Sequence, residues 1–140
     1  MKELYAPALS LAERWRSDAK LVWINILLYP QLHAAFAFDA PSDPLSGLLV
    51  NTDSSVRPAV LTTQEVRSDG RAEIEWPIPE SAWGEVDSPE ALQIAMANGG
   101  DQFLKEHPQI DMWLLQLKYA STPNGLSVVW RVSMTDPSGA

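Results

Sequence analysis

Apolar residues, in continuous runs or alternating with polar ones, predict several strands in the first half of the chain. Residues 20–29 form a run of β-branched, aromatic and aliphatic side chains that Pro30 ends, which indicates a buried strand. The alternating pattern of residues 33–39 predicts its antiparallel partner. A turn-rich break follows at residues 41–47, and residues 48–51 form a further short strand.

The end of the chain has the pattern of a hairpin. Residues 110–119 and 126–134 are strand-like, and Asn124-Gly125 between them is a strong hairpin signal. The second of these strands alternates cleanly, so one face should be buried and the other largely solvated. We expect Gly125 to take a positive φ, in a primed turn or in a loop with a glycine bulge.

Helical periodicity appears before each of these strand pairs. Residues 8–18 predict a short helix with apolar side chains on one side and charged side chains on the other. A second helix should begin with Ser88 as N-cap and Pro89 at the first helical position. Gly99-Gly100 interrupts this second helix, which indicates a helix break or a close approach of helix and sheet.

The middle of the chain predicts a further hairpin and a crossover. Residues 56–67 and 71–76 are two strand-like segments joined by a turn at residues 68–70. Residues 77–87 contain two prolines and a tryptophan. We therefore expect a crossover packed across the surface rather than a flexible linker.

These elements predict one domain, residues 1–140, with an α+β fold of two α-β-β units, additional strands, and helices packed on antiparallel sheet. The hairpins 18–43 and 111–136 can be superposed without gaps at an offset of 93 residues, and the helix before the second hairpin is ten residues longer. A repeat would comprise residues 8–50 and 88–140, joined by the hairpin 56–76 and the crossover 77–87. Both halves then end in the same Asp-Pro turn. An internal duplication would explain this match, and chance similarity of two amphipathic hairpins is the alternative.

Charge and composition narrow the classes of function. Eighteen acidic and ten basic residues give a net charge of -8 over 140 residues, which disfavours binding to nucleic acid or to anionic membranes. The chain has no cysteine, hence no disulfide or thiolate chemistry. No signal peptide or apolar span of about 20 residues is recognisable. We expect a cytoplasmic protein, with a processed secreted form as the alternative.

A helix followed by a β-meander, with a turn of the form Asp-x-x-Gly near its end, resembles the PepSY type of small module. The resemblance rests on Ser88-Pro89-Glu90-Ala91-Leu92, on the strand 110–119 and on residues 128–139. It is looser over residues 8–50, which would make two tandem copies. The resemblance implies a non-enzymatic, often inhibitory or regulatory, protein-binding role.

Side chains capable of chemistry are few and scattered. His33 and His107 occur in no metal-binding or catalytic spacing, so we interpret His107 as a helix-end residue and His33 as a surface strand residue. The stretch beginning at Asn51-Thr52-Asp53 lacks the glycine and the distal glutamate of a calcium loop. No nucleophile elbow or phosphate-binding loop is present. We predict no catalytic residue, no cofactor and no metal.

Two of the six tryptophans, Trp76 and Trp83, flank the proline-rich crossover and are the predicted partner surface. The alternative is that they clamp the crossover onto the sheet. The leading hypothesis is a non-enzymatic protein-binding or regulatory module with an unidentified protein partner. The alternatives are an acidic chaperone or immunity-type protein for a basic partner, and a cone-shaped α+β domain that binds or converts a small molecule.

Overall fold

The computed structural model describes residues 2–29, 33–53, 60–67, 78–79, 81, 87–110 and 112–136. Within these residues an antiparallel sheet of six strands dominates the structure, in the spatial order β4-β3-β2-β1-β5-β6. The strands are β1 Lys20–Tyr29, β2 His33–Ala40, β3 Asp43–Asp53, β4 Val60–Arg67, β5 Met112–Thr122 and β6 Gly125–Thr135. The helical segments are α1 Lys2–Trp15, α2 Ser88–Ala95, a π-helical turn Met96–Gly100, and α3 Asp101–Glu106.

The predicted fold class, an α+β fold of two α-β-β units with helices packed on antiparallel sheet, was wrong. The sheet is the dominant layer and it is continuous: β1 pairs antiparallel with β5, so the first and last hairpins are parts of one sheet. Beyond β2, strands β3 and β4 extend it as a meander. Pairing across β1 and β5 satisfies the backbone groups of two apolar strands that would otherwise be edges.

The internal repeat stays a prediction, and the strand register bears on it in two ways. The offset of 93 residues superposes Ile24 on Leu117, and these two residues lie directly opposite each other across β1 and β5. Two hairpins related by a two-fold axis through this pair would have that register. Within the hairpins the registers differ by one residue, since Ile24 pairs with Phe36 whereas Leu117 pairs with Trp130, the equivalent of Ala37.

One face of the sheet carries the hydrophobic core. Alternate residues of the central strands point to it, and the largest of those that are fully buried are Phe36, Phe38, Leu21, Ile24, Leu115 and Leu117. Helix α1 contributes Tyr5, Ala8 and Ala12 to the same cluster, and Leu92 of α2 packs against it. Ile78 is also in this cluster and donates its N–H to the carbonyl of Leu21 at 2.7 Å.

Several boundaries differ from the sequence prediction for local reasons. Helix α1 starts at Lys2 and contains Pro7 as its sixth residue, which removes the hydrogen bond that this position would donate to the carbonyl of Glu3. The break predicted at 41–47 is only the turn Pro41-Ser42, because Asp43 already pairs with Ala40. Asp87, rather than Ser88, is the N-cap of α2, with its carboxylate accepting the Ser88 N–H at 2.7 Å.

Two polar contacts fix the turn between β2 and β3 against the α1–β1 loop. Ser42 donates its N–H and its hydroxyl to the carboxylate of Asp18, each at 2.7 Å. These bonds hold the pKa of Asp18 below its ordinary value. Beside them, Arg16 forms an ion pair with Asp43 at 3.0 Å. Both contacts are partly or fully open to solvent, so they orient the turn more than they stabilise the fold.

The predicted interruption at Gly99-Gly100 is present as a distorted turn in the helix. Asn98 has φ -103° and ψ 36°, and Gly99 has φ +116°, so neither residue is helical. The Asn98 side-chain amide donates to the carbonyl of Ile94 at 2.7 Å and satisfies one backbone acceptor near the break. The predicted strand 71–76 lies outside the described residues, as does most of the crossover 77–87.

Candidate functional site

The sheet face opposite the core is one candidate surface, and it is called the open face here because none of the described helices packs on it. Described helical residues contribute to the cluster on the other face. Strand register places on the open face the apolar side chains of Trp23, Leu27, Leu49, Met112, Leu114 and Val129. Each of these is half-buried. The solvated face of an antiparallel sheet is usually polar, and these side chains depart from that pattern. On β2 the residues of the same face, Ala35, Ala37 and Asp39, are buried.

Across the middle of the open face runs a row of paired residues that are all polar except Ala35. The paired residues of this row, from β4 to β6, are Thr62, Asn51, Ala35, Asn25, Gln116 and Arg131. Gln116 donates its side-chain amide to the Asn25 carbonyl at 3.0 Å, and His33 contacts Asn51 at 3.1 Å. Amides held in this way keep further donor and acceptor capacity for a partner.

A buried carboxylate marks one end of the open face. Asp39 is only 5% exposed and lies opposite Lys20 on β1 and Gly47 on β3. A Cβ at Gly47 would lie 2.9 Å from the Asp39 carboxylate oxygen Oδ1, which is closer than real contacts allow. The glycine is therefore needed here to make room for the acidic side chain.

A second candidate site is a groove beside the break between α2 and α3. Its volume is about 350 Å³, and it lies between the helix and β6. The lining is mostly apolar and carries no charged side chain: Ala95, Asn98, Gly99, Gly100, Phe103, Val132 and Met134. No atom lies within 4 Å of the position that a Cβ would take at Gly99, so this wall of the groove is open.

A histidine–aspartate pair lies next to the groove. His107 Nδ1 is 3.1 Å from Asp136 Oδ2, and the Asp136 side chain is 8% exposed. The His107 ring stacks on Phe103 with 4.3 Å between ring centroids. Because Asp136 orients the imidazole and the imidazole stacks on Phe103, one wall of the groove is held in place.

The structure bears on some of the residues predicted from the sequence and not on others. Trp76 and Trp83, the predicted partner surface, lie outside the described residues. His107 is at the helix end as expected, but its partner Asp136 was missed, since 29 residues separate them and no local pattern links them. His33 is exposed at the start of β2, as expected of a surface strand residue. In the described ranges no three potential metal ligands converge.

The similarities to known proteins are distant. Neither a protein-family model nor a curated protein matches the chain. A crystal structure of a putative lipoprotein from Clostridium difficile 630 is similar at 13% sequence identity, with a TM-score of 0.47, over 94% of this chain and 92% of that one. None of the described helices is both long and apolar enough to span a bilayer.

Proposed function

We propose that the chain is a protein-binding module and that the open face is its binding surface. The observation that carries this proposal is the set of half-buried apolar side chains on the face opposite the core, from Trp23 on β1 to Leu114 on β5. Apolar side chains on both sides of a polar row make a mixed surface, as is typical of docking sites. The partner surface predicted from the sequence, around Trp76 and Trp83, is a separate hypothesis, and both residues lie outside the described part of the chain.

The charges on the open face indicate the partner's chemistry. Although the whole chain has a net charge of -8, Lys118 and Arg131 lie on this face on neighbouring strands. Asp39 on the same face is buried, so it presents little charge to a partner. A partner with apolar groups on both sides of a polar strip, and with acidic groups opposite β5 and β6, would fit.

A basic partner would need another surface. The exposed acidic side chains of the helices are Glu3, Glu13, Glu90, Asp101 and Glu106. The alternative role of an acidic chaperone or immunity-type protein therefore points to the helical side. The regulatory role that the PepSY resemblance implies is a further proposal, and so is the cytoplasmic location. Neither of the two surfaces bears on them.

The two surfaces can be separated with matched substitutions of aliphatic residues by lysine. Leu114→Lys places a charge among the apolar side chains of the open face, opposite Leu27, whereas Ile94→Lys does so on α2, where Ile94 is 50% exposed. Each variant would be purified from the native host with its bound partner, and the partner's stoichiometry measured at low and high salt. We expect Leu114→Lys to lose the partner and Ile94→Lys to keep it.

Circular dichroism and thermal melting would first establish that both variants are folded. A folded Leu114→Lys chain that still binds one partner per chain would contradict the open face as binding surface. If only the Ile94→Lys variant lost the partner, the binding site would lie on the helical side. Salt would distinguish the partner's chemistry, since an apolar contact survives high salt whereas a purely ionic one does not.

A further inference from the structure

We infer that the groove between the helix break and β6 is a pre-formed binding site for a small, neutral, largely aromatic molecule. This site is independent of the open face, because Val132 and Met134 point to the core side of β6 while Val129 and Arg131 point to the other. The inference rests on the size of the groove, on the chemistry of its lining and on the way its walls are held.

The size and the lining specify the ligand. A volume of about 350 Å³ is in the lower part of the range of small-molecule sites, which is about 300–1,000 Å³. This suits one or two fused rings rather than a nucleotide or a sugar chain. Because no lining side chain is charged, the groove offers a charged ligand no ion-pair partner, and a neutral ligand is favoured. The Phe103 ring and the Met134 thioether are both good contacts for an aromatic ring.

The distortion of the helix opens the site. A regular helix would continue its hydrogen-bond pattern through position 99. Gly99 instead has a φ of +116°, which breaks the helix, and it has no side chain that could project into the groove. The segment is therefore a kink between α2 and α3 and not a regular helical turn. Asn98 is the polar side chain in the lining, and its amide can serve a ligand with one hydrogen-bonding group.

Contacts within the protein hold the side chains that line the groove in place without a ligand. On one side Phe103 stacks on His107, whose Nδ1 is bonded to the nearly buried Asp136. On the other side Val132 packs against the core cluster. A site fixed in this way loses little conformational entropy on binding, which favours affinity for a small molecule.

Indole is a suitable probe, since it is neutral, has two fused rings and carries one N–H donor. With methionine methyl groups labelled with ¹³C, indole should shift the Met134 signal saturably and leave Met112, on the open face of β5, unchanged. Val132→Phe fills the groove and should weaken indole binding at least tenfold. Val129→Phe, the same change on the opposite face of β6, should leave it unchanged.

Indole-3-carboxylate tests the requirement for neutrality and should bind at least tenfold more weakly than indole. If Val132→Phe does not fold, Ala95→Leu fills the same groove from the helix and decides the question. The inference is overturned if Met134 shows no saturable shift, if Met112 shifts equally, or if the folded groove-filling variant binds indole as well as the unmodified chain. Equal binding of the carboxylate would overturn the assignment of a neutral ligand.

Discussion

Gly125, the first residue of β6, provides the sharpest test of the structure. Its φ is +102°, a region that residues with a side chain rarely adopt. No atom lies within 4 Å of the position that a Cβ would take, so a new side chain would meet only solvent. The cost of Gly125→Val is therefore a backbone cost alone. Left-handed backbone costs an L-residue roughly 1–2 kcal/mol, and a β-branched side chain adds to this.

We expect Gly125→Val to lower the free energy of unfolding by about 1–3 kcal/mol. Urea unfolding followed by tryptophan fluorescence should show this as a midpoint lower by roughly 1 M, given m-values of about 1–3 kcal/mol/M. Gly125→Asn is the matched control, because Asn tolerates left-handed conformations better than other side chains, and its cost should be clearly smaller.

An unchanged midpoint in Gly125→Val would refute the assigned turn, since a β-branched residue cannot adopt this φ without strain. Equal losses in the Val and Asn variants would also refute the reasoning. In that case the penalty would come from the side chain's surroundings and not from φ. A change in the m-value would indicate an altered unfolded or native state and would require a second probe.

Three further predictions concern the sheet and its turns. Gly47→Ala should destabilise the chain by about 1–3 kcal/mol through its clash with Asp39, and in a double-mutant cycle with Asp39→Ala the two losses should be less than additive. Phe36→Ala should cost about 3–5 kcal/mol in denaturant unfolding, because Phe36 is fully buried. The carboxylate of Asp18 has a lowered pKa because Ser42 donates to it, so its contribution is present above the unfolded value and is lost as the pH falls below about 4. The difference in melting temperature between Asp18→Asn and the unmodified chain should accordingly disappear in acid, and a constant difference would contradict the assignment.

Local patterns predicted the strands well where one face is buried. Strands β1 and β2 cover residues 20–29 and 33–40, against predictions of 20–29 and 33–39. The positive φ expected at Gly125 is confirmed. Alternation along a strand and the residues needed in a tight turn are properties of short segments, so they can be read without knowing the partner strand.

Local sequence patterns predicted the structure poorly where pairing with neighbouring strands determines it. The turn-rich residues 43–47 are part of β3, because Asp43 and Gly47 pair with β2 while Ser46 and Gly47 pair with β4, and this pairing outweighs their weak strand propensity. The same holds for the candidate sites. Neither the apolar residues of the open face nor the bond between His107 and Asp136 is visible until the strands and the helix are placed together.

By itself the sequence determined the local features of this protein: its strands, the hairpin at Asn124-Gly125, the helix break at Gly99-Gly100, and the side chains that alternate on β6. Only the tertiary structure decided that β1 and β5 are neighbours and that a single sheet replaces two separate units. The physical reason is that alternation within a strand indicates which of its side chains share a face. It does not indicate which other strand pairs with that strand. That choice depends on the burial of both apolar surfaces together and on the loop entropy between distant segments.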